Sequence, residues 1–131
     1  MGVTIIAFIG SVFSPYYAWA RRRGRGDPQH YCALNVALYG KDRGAWTMTE
    51  RGRGQLRRSA TELVIGPSSV DWDGDRLTVR IDERGAPIPR RVRGTVRLHP
   101  KAVTDHAIAL DRAGRHRWWP IAPESRVEVE L

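Results

Sequence analysis

Six consecutive residues, Arg115-His116-Arg117-Trp118-Trp119-Pro120, concentrate more chemistry than any other stretch of this chain. They bring together an imidazole, whose charge changes near neutral pH, two guanidinium cations and two indole faces able to stabilise a cation. Side chains alternate along a strand, so His116 and Trp118 would point to one face of it. That arrangement would give an apolar, aromatic pocket holding one proton-handling group. A surface histidine next to a core tryptophan would read the same way. Elsewhere the candidates are weaker. Gly24-x-Gly26 and Gly52-x-Gly54 lack the strand–turn–helix setting and the lysine of a phosphate loop. His30 lies two residues before Cys32, the single cysteine, and would suit a base beside a nucleophile or a loop histidine beside a buried thiol. The four histidines and one thiol show no metal-ligand spacing, so no metal is expected.

These residues need elements to hold them, and the period-two pattern of β-structure recurs along the chain. Thr4–Phe13 reads as an apolar strand ended by Ser14-Pro15. The alternative for Val3–Ala20, a membrane span stopped by Arg21-Arg22-Arg23, is interrupted by Gly10, Ser11, Ser14 and Pro15. Leu34–Tyr39 and Ala45–Glu50 flank a turn-rich Gly40–Gly44 segment. Glu62–Ile65 leads into the turn signal Gly66-Pro67, and Asp73-Gly74 favours a tight hairpin between Val70–Trp72 and Leu77–Ile81. Val92, Gly94, Val96 and Leu98 alternate with polar residues, giving one buried and one solvated face. Ala107–Leu110 and His116–Trp119 flank a glycine-bearing turn, and Val127, Val129 and Leu131 alternate with glutamates. No ten-residue stretch has helical periodicity, although Gln55–Leu63 could hold one turn. The expectation is one all-β domain over residues 1–131, an antiparallel sandwich or barrel. A barrel of about eight strands can hold one apolar ligand.

The net charge of +8 is carried almost wholly by arginine, with two lysines among the 131 residues. Its basic residues are spread over 21–25, 51–58, 90–97 and 112–117 rather than gathered on one element, so nucleic acid is not the expected partner. A single cysteine excludes an internal disulfide. A wholly apolar strand at the first residues implies burial on both faces and a central place in a sheet. With nothing before it, and with a well-formed strand at residues 126–131, both ends are expected to be cut.

Ordered blocks along the chain resemble the carotenoid 1,2-hydratases, also called hydroxyneurosporene synthases. They run from Ile5-Ile6-Ala7-Phe8-Ile9-Gly10-Ser11-Val12-Phe13-Ser14-Pro15-Tyr16-Tyr17-Ala18-Trp19-Ala20-Arg21 through Cys32–Gly40 and Met48–Gly52. Ile65-Gly66-Pro67-Ser68, Trp72-Asp73-Gly74, Arg93-Gly94 with Val96-Arg97, and Ala109-Leu110-Asp111 follow. Gly114-Arg115-His116-Arg117-Trp118, Pro120-Ile121-Ala122-Pro123 and Arg126–Val129 close the series. The resemblance implies a lipocalin-like β fold and addition of water to the terminal C1–C2 double bond of acyclic carotenoids such as neurosporene and lycopene, without an organic cofactor. It also implies catalysis by a His-x-Trp pair, matched here by His116 and Trp118, and by a Tyr-x-Asp pair farther on. No Tyr-x-Asp follows Trp118 in these residues.

Alkene hydration starts with protonation at C2, leaving a tertiary cation at C1 for water to trap. Histidinium, with an ordinary pKa near 6.5, is a poor acid for that step. A carboxylic acid kept neutral by an apolar site is better, and His116 then orients or deprotonates the water. Trp118 would stabilise the cation by about 2 kcal/mol if desolvated. Without the aspartate, these 131 residues alone are expected to be inactive. The substrate's solubility implies peripheral attachment to the cytoplasmic side of a bacterial inner or photosynthetic membrane, with the arginines at 21–25 as a contact. The alternative function is a lipocalin-like module that binds an apolar ligand without chemistry.

Overall fold

Cys32–Tyr39 is the strand around which one half of the molecule is built, and its sequence, CALNVALY, explains why. Its first six residues are buried without alternation, as expected of a strand covered on both faces. The computed structural model describes residues 2–40 and 44–131. In it β2 (Cys32–Tyr39) lies between β1 (Gly2–Ile9) and β3 (Ala45–Thr47) in an antiparallel sheet of order β1-β2-β3. The central position expected for the first strand thus belongs to the second. β1 pairs on one side only, and its inward residues Val3 and Ile5 meet the core while Ile6 is exposed. Part of the expected Gly40–Gly44 turn, Lys41–Arg43, lies outside the described residues.

A six-stranded antiparallel sheet of order β11-β8-β7-β6-β5-β4 faces the first. Its strands are β4 (Leu56–Arg58), β5 (Glu62–Ile65), β6 (Ser68–Trp72), β7 (Leu77–Arg84), β8 (Arg91–Pro100) and β11 (Ser125–Glu130). Register places Val96 opposite Val79 and Gly94 opposite Ile81, so the alternating apolar residues of neighbouring strands share one face. They close a core with Leu34 and Val36 of β2, joined by Val70, Leu98 and Val129. At Gly94 a Cβ would come within 2.0 Å of the Glu130 carbonyl oxygen, so β11 crosses there only because no side chain is present. The outer face carries cross-strand ion pairs, including Arg80–Asp71, Arg91–Asp82 and Arg97–Glu130. Pairs so exposed are worth about 0–1 kcal/mol each.

The turn expected at Gly66-Pro67 and the hairpin expected at Asp73-Gly74 both form. Ile65 pairs with Ser68 across the two-residue loop Gly66-Pro67. Gly66 has φ 59°, and proline cannot follow with positive φ, so the loop takes the type II′ form. Asp73 Oδ1 accepts from the Asp75 and Arg76 amides, and Gly74 has φ 108°. The fold is therefore all-β and antiparallel, with no closed barrel among the described residues, the arrangement of a sandwich or an incomplete barrel.

The strand expected over Thr4–Phe13 ends at Ile9, and a helix that the sequence reading missed follows it. In α1 (Pro15–Arg22), Ser14 is the N-cap, its Oγ accepting from the Tyr17 amide at 3.0 Å, and Pro15 occupies the first turn. Proline there gives up a donor that has no partner anyway. A 3-10 turn at Pro28–His30 returns the chain to β2. Another, at Arg53–Gln55, stands beside the single turn expected over Gln55–Leu63, where the chain instead pairs as β4 and β5. No helix among the described residues is long and apolar enough to cross a membrane.

Candidate functional site

His116 and Trp118 sit on a two-stranded hairpin outside both main sheets. β9 (Ile108–Ala109) pairs antiparallel with β10 (Arg117–Trp118), Trp118 opposite Ile108 and Arg117 opposite Ala109. The Leu110 amide donates to the His116 carbonyl at 2.8 Å, extending the pairing by one bond. The intervening turn closes through Gly114, which has φ 64° and donates its amide to the Asp111 carbonyl. The regular strand is thus shorter than expected and excludes His116, so strand alternation does not orient its ring. Asp111 does.

The Asp111 carboxylate uses both oxygens. Oδ1 accepts from the Arg115 amide at 3.0 Å, and Oδ2 meets His116 Nδ1 in a short contact. The His116 hydrogen bond, followed by the Arg115 amide, holds the Asp111 carboxyl below the ordinary carboxylate range. Asp111 is therefore an anion near neutrality and accepts the Nδ1 proton. That leaves Nε2 as the ring nitrogen not engaged by Asp111, on a side chain that is 75% exposed. Sequence reading missed Asp111, although a carboxylate five residues before the histidine across a glycine turn was visible.

The expected enclosed aromatic pocket is not what surrounds this pair. Trp118, Trp119, Leu110 and Ile121 are all exposed, forming an open apolar surface on and after the hairpin. A wholly apolar space lies elsewhere, between the two main sheets, in a partly open cavity of about 360 Å³. Val3, Ile5, Leu34, Val79, Leu98 and Val127 are among its walls, and every residue lining it is aliphatic; neither His116 nor Trp118 does so.

His30 and Cys32 do not form a reactive pair. Cys32 is fully buried, its thiol directed at the Pro28 and Gln29 carbonyls, and burial pushes its pKa up. A raised pKa suppresses the nucleophilic thiolate. His30 is exposed and uses Nδ1 to accept from the Arg53 amide at 3.5 Å. Gly52 serves a structural role as the residue preceding the Arg53–Gln55 turn. Among the described residues no three His, Cys, Asp or Glu side chains are placed to hold a metal ion.

A second acidic residue that sequence reading passed over is Glu83. It continues the inward parity of Leu77, Val79 and Ile81 on β7 and is 1% exposed. Arg51 Nη2 donates to Oε2 at 2.8 Å and Ser68 Oγ to Oε1 at 2.8 Å, while Ser68 Oγ accepts from the Asp82 amide. Arg51 is bonded through its backbone to Cys32 on the first sheet, so this buried ion pair ties the two sheets together. Gly66 makes room for it, since a Cβ there would lie 2.8 Å from Arg51 Nε.

Comparison with known proteins gives this geometry its context. The family profile of carotenoid hydratase CrtC matches residues 5–131. The chain is 63% identical over 130 residues to the acyclic carotenoid 1,2-hydratase of Thiocapsa roseopersicina and 61% identical over 132 to that of Rubrivivax gelatinosus. These matches cover 99% of this chain and 32% of each relative. The Cereibacter sphaeroides enzyme of the same name is 46% identical, with 97% of this chain and 44% of that protein covered. The chain thus spans about a third to under a half of the length of the curated relatives it matches. No solved structure matches it. From the first strand to the last, the chain belongs to the carotenoid hydratase CrtC family.

Proposed function

We propose that this chain forms part of an acyclic carotenoid 1,2-hydratase, a hydro-lyase adding water to the terminal C1–C2 double bond of a substrate such as neurosporene or lycopene. The observation that carries the reading is the match over nearly the whole chain to relatives of that name. The reaction divides into two proton transfers. An acid delivers a proton to C2, the π electrons form the new C–H bond, and a tertiary cation remains at C1. Water then bonds to C1 and loses a proton.

His116 and Trp118 fit the second half. With Nδ1 committed to Asp111, His116 Nε2 accepts the proton released by the water as its oxygen joins C1. Trp118 presents an exposed indole face able to stabilise the cation. Asp111 does not fit the first half, since a carboxyl held below its ordinary range is not a neutral acid near pH 7. The acid comes from outside the hairpin. No organic cofactor takes part in this scheme, and the all-aliphatic cavity suits an isoprenoid chain. A lipid-borne substrate places the protein peripherally on the cytoplasmic side of a bacterial inner or photosynthetic membrane.

The test is hydration of lycopene in D2O by a family-length protein carrying this chain. The expected product is a 1-hydroxy derivative with one deuterium at C2. No hydration, or hydration without deuterium at C2, overturns the reading. Carotenoid binding that persists without product would instead support a binding module built on the aliphatic cavity.

A further inference from the structure

The first 26 residues contain four arginines, at 21, 22, 23 and 25, and no aspartate or glutamate. The next acidic residue, Asp27, is taken by Arg53. Among the described residues none of these four arginines has a carboxylate partner, unlike Arg80, Arg91 and Arg97 of the six-stranded sheet.

Beside this charge lies an apolar face that is largely exposed among the described residues, only the Phe13 ring meeting that of Phe8 edge-on at 5.5 Å. One side of α1 and its entry turn is used for packing: Ser14 and Ala20 are buried, and the Tyr17 ring lies 4.9 Å from that of Tyr31. The other side carries Tyr16 and Trp19, three apart on the helix and so neighbours on its surface, with Val12 and Phe13 in the turn before it. These four side chains are between 56% and 78% exposed. The Arg23 guanidinium stacks over Trp19, 3.9 Å from the ring centroid, placing a charge at the rim of this face.

We propose that this corner, the turn after β1 together with α1, docks on an anionic lipid surface. Large aromatic rings flanked by arginines are what a bilayer interface accommodates, rings among the headgroups and cations on anionic phosphates. A plain protein surface exposes single apolar residues rather than an adjoining set of four beside unpaired like charges. The eight-residue helix, about 12 Å long, lies in the interface rather than crossing it. This deepens the peripheral placement given above, yet stands on the exposed residues and not on hydration chemistry, so either can fail without the other.

Sedimentation of the 131-residue chain with vesicles tests it, using phosphatidylcholine alone and phosphatidylcholine mixed with the anionic lipid phosphatidylglycerol. Binding to the anionic vesicles and weak binding to the neutral ones are expected. Arg22→Gln with Arg25→Gln, two arginines in no aromatic contact, should lower partitioning into anionic vesicles roughly 30-fold. Tyr16→Gln with Trp19→Gln should lower partitioning into both vesicle types. Equal binding by wild type and the arginine variant, or no sedimentation with anionic vesicles, overturns the proposal. Self-association of the wild-type chain that the Tyr16/Trp19 variant abolishes also overturns it, by assigning the face to a second copy.

Discussion

Glu83 and Asp111 have the same apparatus and opposite surroundings. Each carboxylate engages a basic side chain with one oxygen and a further donor with the other: Arg51 and Ser68 for Glu83, His116 and the Arg115 amide for Asp111. Glu83 is sealed under two sheets with a partner that is permanently charged. Asp111 sits on an open hairpin with a histidine partner, a side chain able to serve as a general acid or base. A buried pair with arginine can only hold structure. An open pair with histidine can move a proton.

The contrast can be broken first at its buried end. Arg51→Ala leaves the Glu83 charge buried and unpaired, so unfolding in urea should show a loss of about 3–5 kcal/mol. Replacing both ends together, as Arg51→Met with Glu83→Leu, should recover most of that loss; failure to recover would mean that the pair specifies the sheet arrangement itself. At the open end the readout is rate. His116→Ala, in a family-length protein carrying this chain, should slow hydration by about 10²-fold with the urea midpoint unchanged. An unchanged rate would remove His116 from the site. Asp111→Asn should cost about tenfold in kcat, through loss of a charge-assisted hydrogen bond. Nitrogen NMR of the His116 ring should show the Nδ1–H form giving way in that variant.

The smallest effect is the pH response of the hairpin. Asp111 has a folded pKa below its unfolded value of about 3.9. Its contribution is therefore fully present above the unfolded value and disappears as pH falls through the folded one. Cross-strand amide signals of β9 and β10 should hold down to about pH 4 and weaken only in stronger acid. Loss of those signals well above pH 4 would show that Asp111 does not control the turn.

Sequence patterns revealed five strands of the six-stranded sheet, though not β4, because apolar and polar residues alternate along β7 and β8 and two of its turns carry their own chemistry at Gly66-Pro67 and Asp73-Gly74. They misassigned α1 because two turns of helix are too short for a visible period, and because Ser14-Pro15 serves equally to end a strand and to cap a helix. Glu83 was legible by parity alone, as the fourth inward position after Leu77, Val79 and Ile81, but polarity argued the other way and only the Arg51 contact resolves it. At the candidate site, pairing of residues 108–109 with 117–118 was foreseeable from the glycine turn. The exposure of His116 and Trp118, and their separation from the aliphatic cavity, depend on how distant segments pack, which local pattern does not encode.

Cys32 gives the chain an internal clock. It is the single thiol, buried at the start of the central strand of the smaller sheet. A water-soluble thiol reagent can reach it only when that sheet opens. The rate of labelling in native buffer therefore measures the frequency of opening, residue by residue at one chosen point, without denaturant and without adding a probe.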